Sequence, residues 1–288
     1  MKEHTYAIMN RVEDAHWWFV GRRAILRQFM AEIVDSCRSK FKVQSSKSIE
    51  SETQEFTDQA NKTNIEPGTL NFEPLNARAL RILDVGCGTG ANLEMLSEFG
   101  SAEGVDVSDK ALEFCKSKGL KVHKGLAEEL PFEDEEFDVV TALDVVEHLD
   151  DDIAGLKEMN RVVKKGGKAL VFVPAFMWLW GVQDDISNHR IRYTRRQIVD
   201  RLEAAGFEVE RATYANITFF APIFAGRLIM KLTGIRPESE NNINVSALNG
   251  LFGSLFSAER FWLKRANFPF GVSIVVSATK HLSPELDE

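Results

Sequence analysis

Ile82-Leu83-Asp84-Val85-Gly86-Cys87-Gly88-Thr89-Gly90 carries an apolar, strand-like segment into three glycines spaced two apart, and residues 91–99 follow with helical character. Glycines at such a junction lack the Cβ that would hold a ligand off, so the backbone can close on one. The helix start beyond offers N–H groups that the helix itself leaves unpaired. In open α/β sheets, ligands sit at this carboxyl edge of the strands. Twenty residues after Gly86, a second apolar run, Glu103-Gly104-Val105-Asp106, ends in an acid suited to accept hydrogen bonds from a ribose diol. These features alone leave the ligand open. Gly86-x-Gly88-x-x-Ala91 also satisfies the dinucleotide fingerprint, so an NAD(P)-dependent oxidoreductase competes. The plainest alternative is a glycine turn that only lets a helix pack on a strand.

Around this turn, residues 78–175 alternate strands and helices. SAEGVDV, GLKVHKG, FDVVTAL and KALVFVP read as strands, the last two nearly continuous in apolar residues. Strands of that kind belong to a parallel sheet covered on both faces. DIAGLKEMNRVVKKGG reads as an amphipathic helix ended by its glycine pair. Residues 1–35 read as N-terminal cap helices, with Ile8, Val12, Phe19, Ile25, Phe29 and Ile33 among charged positions. Residues 36–76 are rich in Ser, Gln, Thr and Glu with few large apolar groups, and are expected to be a mobile insertion. Residues 77–288 are expected to form the ligand-binding domain, with an apolar elaboration at 214–265.

As an ordered set, LDVGCGTG (83–90), GVDVS (104–108), Leu130-Pro131-Phe132 and Phe137-Asp138-Val139-Val140 closely resemble the class I S-adenosylmethionine-dependent methyltransferases, of the type 11/12 kind. The resemblance covers residues 80–175. It implies a Rossmann-like α/β fold, with a mostly parallel seven-stranded sheet and helices on both faces. A final antiparallel strand, Gly271–Thr279, is expected beside Phe207–Ala212. It implies that Gly86, Gly88 and Gly90 hold the methionine part of the cofactor, and that Asp84 has a polar role near the methionine amino group. Asp106 then holds the ribose, Ala127 and Glu128 meet the adenine, and Leu143 closes the pocket. The family often places Asp before the Ala-Glu pair. Leu126 stands there instead. The LPF and FDVV block speaks against the nicotinamide reading, while a protein that binds the cofactor without transferring its methyl group stays open.

His16-Trp17-Trp18-Phe19 with Gly21-Arg22-Arg23 resembles a bacterial subset of these enzymes. In related ubiquinone-type O-methyltransferases an arginine ahead of the glycine loop binds the cofactor carboxylate; Arg23 is the candidate here, with Arg22 second. Read from the residues alone, the aromatics are core, or a cap that excludes water. After the fourth strand, Asp144, Glu147 and His148 share one face if the segment is helical. Such a trio could hold a divalent cation, as a similar acid-x-x-acid-His does in the ubiquinone-type enzymes. Alternatively His148 acts as a general base, or the segment only caps a helix.

Methyl transfer asks for in-line alignment and, where needed, removal of a proton, so specificity is expected in residues 1–35 and beyond 175. His189, Arg192 and Tyr193 are candidates for the acceptor pocket, His189 as a second catalytic group; the plain reading is a surface helix start, with Thr194 and Gln197 forming a capping box. The Phe-rich stretches 214–231 and 248–262, flanked by Arg227, Lys231 and Arg236, read as core or homodimer interface, as a groove for an apolar or isoprenoid-like acceptor, or as a peripheral membrane contact.

Among 288 residues, 35 Lys and Arg stand against 43 Asp and Glu, a formal charge of −8. That balance argues against broad nucleic-acid binding. Cys37, Cys87 and Cys115 form no CxxC, which excludes a disulfide framework and a cysteine zinc site. MKEHTYAIMNRVEDAHWWF has no continuous apolar core and no stretch is long and apolar enough to span a bilayer, so a cytoplasmic protein is expected, at most lying on a membrane surface. The expected reaction moves a methyl group to an oxygen, or less readily a nitrogen or carbon, of a small-molecule or lipid-like acceptor.

Overall fold

A computed structural model describes residues 3–39, 79–234 and 246–281. The N-terminal cap is two helices, α1 (Glu3–Val12) and α2 (residues 17–39), broken at 13–16. Most of the expected insertion, residues 40–76, lies outside the described residues, and its first residues continue α2. Then come β1 (Arg81–Val85), α3 (Ala91–Leu96), β2 (Ser101–Asp106), α4 (Asp109–Ser117), β3 (Val122–Lys124) and β4 (Phe137–Leu143). A 3-10 turn at Val146–His148 leads to α5 (Asp152–Val162), β5 (Val163–Pro174), α6 (Val182–Ser187), α7 (Arg195–Ala204) and β6 (Phe207–Ala215). Helices α8 (Phe220–Thr233) and α9 (Ser246–Leu263) precede β7 (Ser273–Lys280).

The seven strands form one sheet in the order β3-β2-β1-β4-β5-β7-β6. β1 to β5 are parallel, and β7 runs antiparallel to both β5 and β6. This is the expected sheet, with its reversed strand inserted one place in from the edge. Every residue of β4 is buried, as continuous Phe/Val/Ala/Leu content requires of a central strand. On one face, Val146, Leu156, Met159, Ile198 and Leu202 of the 3-10 turn, α5 and α7 pack against it. On the other, Ile25, Leu26, Phe29 and Met30 of α2 join Met95, Leu96, Phe256 and Leu263.

Two local readings change. The helix expected to run to the glycine pair stops at Val162, and residues 163–167 already belong to β5. Val163 pairs with Phe137 while Lys168 pairs with Val139, so the glycines form the bulge that realigns the strand. Tyr193 is no pocket residue. It is fully buried, and its hydroxyl donates to Asp152 at 2.8 Å. Thr194 does cap α7, its hydroxyl accepting from the Gln197 N–H while Gln197 Oε1 accepts from the Thr194 N–H.

Candidate functional site

β1 ends and the chain reverses against β2: the N–H groups of Gly86 and Cys87 both donate to the Val105 carbonyl, at 2.7 and 3.0 Å. Gly86 has φ +67°, and a Cβ there would stand 2.4 Å from the Val145 side chain. Gly88, at φ +53°, would meet nothing within 4 Å. The space before it belongs to a cavity of about 1080 Å³ whose floor is Val85 to Thr89. One glycine thus keeps the turn tight and the other leaves its backbone open to a guest. Gly90 faces Leu120 and Cys115 and does not line the cavity.

Asp106 stands at the end of β2 on the cavity wall. Its Oδ2 accepts from the Gly88 N–H at 2.9 Å and its Oδ1 from the Ser108 N–H at 2.8 Å. Burial raises its pKa against these two bonds. A carboxylate has about four acceptor sites, so it can brace the turn and still receive ribose hydroxyls. Leu126, Ala127, Glu128 and Leu143 also line the cavity. Asp84 sits behind the wall, fully buried. Its Oδ1 accepts from the Thr141 hydroxyl at 2.6 Å, and its Oδ2 has no hydrogen-bond partner. Burial lifts it to about 7. Asp84 stays outside the cavity, while the turn, Asp106, Ala127, Glu128 and Leu143 line it and fit the methionine, ribose and adenine parts of S-adenosylmethionine in kind.

The cap helices line the cavity with Tyr6, Met9, Val12, Glu13, His16, Trp17 and Trp18. Glu13 is buried at the break between α1 and α2. Its Oε2 accepts from the Thr89 hydroxyl at 2.6 Å, which ties the cap to the glycine turn. Burial raises its pKa. Arg23 lines the cavity and donates to the Glu13 carbonyl at 2.6 Å. Arg22 bonds Asn92 and pairs with Asp144 at 2.7 Å. Trp17 packs 4.5 Å from Phe219, so the aromatic run is cap and core together.

The expected trio of Asp144, Glu147 and His148 does not assemble. Asp144 has φ +61° and precedes the 3-10 turn, so the helical spacing fails and its carboxylate turns to Arg22. Glu147 and His148 gather instead with His189, their ligand atoms all within 4.8 Å. Glu147 is fully buried, and neither carboxylate oxygen has a hydrogen-bond partner. Burial, then Asp144, raises its pKa. His189 Nε2 lies 3.9 Å away, and its Nδ1 is 2.7 Å from Asp184. Burial alone would raise Asp184, but His189, Arg192 and Arg227 outweigh it and hold it at about 2. His148 lines the cavity; burial and then His189 lower it to about 4, and its Nδ1 is 3.3 Å from the Asn188 carbonyl. With Nδ1–H donating to that carbonyl, Nε2 of the neutral ring is left to accept a proton.

Phe219, Pro222, Ile223, Met230 and Phe252 give the same cavity an apolar lining, and His189, Arg192 and Arg227 line it as well. No helix among the described residues is long and apolar enough to cross a membrane.

The family model of a methyltransferase domain matches residues 83–171. A demethylmenaquinone methyltransferase of Staphylococcus aureus (strain MRSA252) is 40% identical over 99 residues, 31% of this chain and 41% of the relative. One of Chlorobaculum parvum is 37% identical over 101 residues, 34% of this chain and 42% of the relative. The chain therefore spans about two fifths of the length of these relatives. Among solved structures, the methyltransferase bound to the Trm112 activator of Haloferax volcanii aligns with a TM-score of 0.50 at 17% identity, over 71% of this chain and 84% of that one, a likeness of fold. The strand order and the turn-and-acid pair agree with that match, and residues 83–171 are similar to a methyltransferase domain.

Proposed function

We propose that the protein transfers the methyl group of S-adenosylmethionine to an oxygen of a lipid- or isoprenoid-like small molecule, with S-adenosylhomocysteine as the other product. The observation that supports this most is the single cavity. It is lined together by the glycine turn, Asp106, His148, Phe219, Ile223 and Phe252. S-adenosylmethionine brings an already activated methyl group. The remaining work falls to the chain: Asp106 and the turn fix the nucleoside, the cap helices exclude water, and the apolar lining orients the acceptor. As the carbon–sulfur bond breaks and the carbon–oxygen bond forms, His148 Nε2 takes the hydroxyl proton. His189, held by Asp184, lies edge-on at 4.7 Å and keeps that ring in place. Demethylmenaquinone, for which the matched relatives are named, supports the apolar character of the acceptor and not the choice of oxygen.

Glu147, His148 and His189 are also a donor set for a divalent cation. The base role needs none, so methyl transfer is expected to survive EDTA. Loss of activity restored by added Mg2+ or Zn2+ would give these three groups to a metal instead.

The test is a screen of lipid extracts and phenolic or quinol compounds with isotope-labelled S-adenosylmethionine, followed by mass spectrometry of whatever gains the label. Calorimetry runs beside it. Tighter binding of NADH than of S-adenosylmethionine or S-adenosylhomocysteine would end the methyltransferase reading. Tight cofactor binding with no labelled product across the screen would favour a binding protein.

A further inference from the structure

Helix α8 is apolar apart from Arg227, Lys231 and Thr233, yet none of its residues is buried. Its inner face, Ile223, Gly226 and Met230, lines the cavity. Its outer face exposes Phe224, Leu228, Ile229 and Leu232 as one stripe, Leu232 at 77% exposure. Trp178 extends that stripe, lying edge-on 5.5 Å from Phe224 and itself 54% exposed. Helix α9 repeats the pattern with Leu248, Leu251, Leu255 and Trp262, the last 71% exposed. A helix so largely apolar ordinarily lies inside something, and apolar exposure on this scale marks a docking surface.

Charge selects the occupant. Residues 216–234 and 246–272 hold five basic side chains and one acid, in a chain whose formal charge is −8. The acid, Glu259, is turned inward, accepting from the N–H groups of Asn216 and Thr218. Lys231, Arg260, Lys264 and Arg265 are exposed beside the apolar stripes. A second copy of this chain would bring the same positive rim against them, which costs energy in a symmetric contact. A layer of anionic headgroups neutralises that rim, while acyl chains cover the Leu, Ile and Phe side chains. Tryptophans such as Trp178 and Trp262 suit the boundary between the two.

We propose that the outer faces of α8 and α9 seat the protein on an anionic phospholipid bilayer. The docking stands apart from the methyl-transfer reading, since it requires neither cofactor nor acceptor. Joined to that reading, it gives an apolar acceptor a route into the cavity past α8 with little exposure to water.

The full chain is tested by flotation with phosphatidylcholine vesicles, plain or mixed with phosphatidylglycerol. Flotation is expected with the mixed vesicles alone, with a blue shift of tryptophan emission and release at high salt. Leu228→Glu/Ile229→Glu/Leu232→Glu is expected to abolish flotation with circular dichroism and thermal unfolding unchanged. Lys264→Glu/Arg265→Glu is expected to weaken it by roughly tenfold or more. Wild-type protein that floats with neither vesicle, or a folded triple variant that floats as well as wild type, overturns the proposal. A dimer in light scattering that the triple variant dissolves, without flotation, gives this face to a second copy and equally overturns it.

Discussion

Asp106 serves two ends at once, bracing the Gly88 and Ser108 backbone while presenting its carboxylate to the cavity. Asp106→Ala is therefore expected to weaken S-adenosylmethionine binding by about 1–3 kcal/mol in calorimetry; unchanged affinity would remove the acid from the site. His148 makes a separable prediction. His148→Gln is expected to lower kcat by roughly 10²–10⁴-fold with cofactor affinity preserved. Because its pKa lies at about 4, the acid limb of the wild-type rate profile should break there and not near 6.5. Asp106, Gly86 and Gly88 are legible in the sequence because a short covalent spacing fixes their places, whereas Ala127 and Glu128 come from the family resemblance alone. Glu13 is not legible there: its partner Thr89 is far along the chain, and an acid at the end of an amphipathic helix carries no signature of a buried bond. Asp144 and Tyr193 were misread for a related cause. Asp144 rests on helical spacing and Tyr193 on a motif likeness, and the backbone at φ +61° or a tertiary hydroxyl bond sends each side chain elsewhere.

At the scale of elements, α2 is anchored in the core by Ile25, Leu26, Phe29 and Met30, and the Thr89 to Glu13 bond joins the break between α1 and α2 to the glycine turn. Thr89→Val keeps the side chain's shape and leaves a buried acid short of a partner. It is expected to cost about 1–3 kcal/mol in denaturant unfolding and to speed S-adenosylmethionine release in stopped-flow measurements. Equal release rates would mean the cap does not gate the cofactor. The strands were legible wherever apolar residues ran continuously, as in Phe137–Leu143, since only a strand buried on both faces needs them. The helix before β5 was drawn too long because Lys-Lys-Gly-Gly has the composition of a helix end. Only pairing with β4 shows that it is a bulged strand. α8 and α9 were seen as apolar stretches, but whether such a stretch is core or surface depends on what packs on it.

For the molecule as a whole, two titratable groups of the candidate site, buried Glu147 and half-buried His148, pull stability in opposite directions with pH. His148 is held below its ordinary value by burial, so its contribution is complete above 6.5 and fades as pH falls to about 4. Glu147 is held above 4.5 by burial and by Asp144, so its contribution is complete below 4.5 and fades as pH rises through its shifted value. Denaturant midpoints are expected to fall at both ends of the pH range. Glu147→Gln should flatten the alkaline side alone and His148→Gln the acid side alone; a variant that leaves its own side unchanged would show that the slope has another source. The sheet order has a different consequence. β7 fills the slot between β5 and β6, and the buried Lys168 of β5 reaches Thr279 on it at 2.8 Å. During synthesis, β6 leaves the ribosome well before the strand that joins it to the rest. A nascent chain halted short of Ser273 would therefore hold two open strand edges side by side, and chaperone capture should peak there and vanish once β7 emerges.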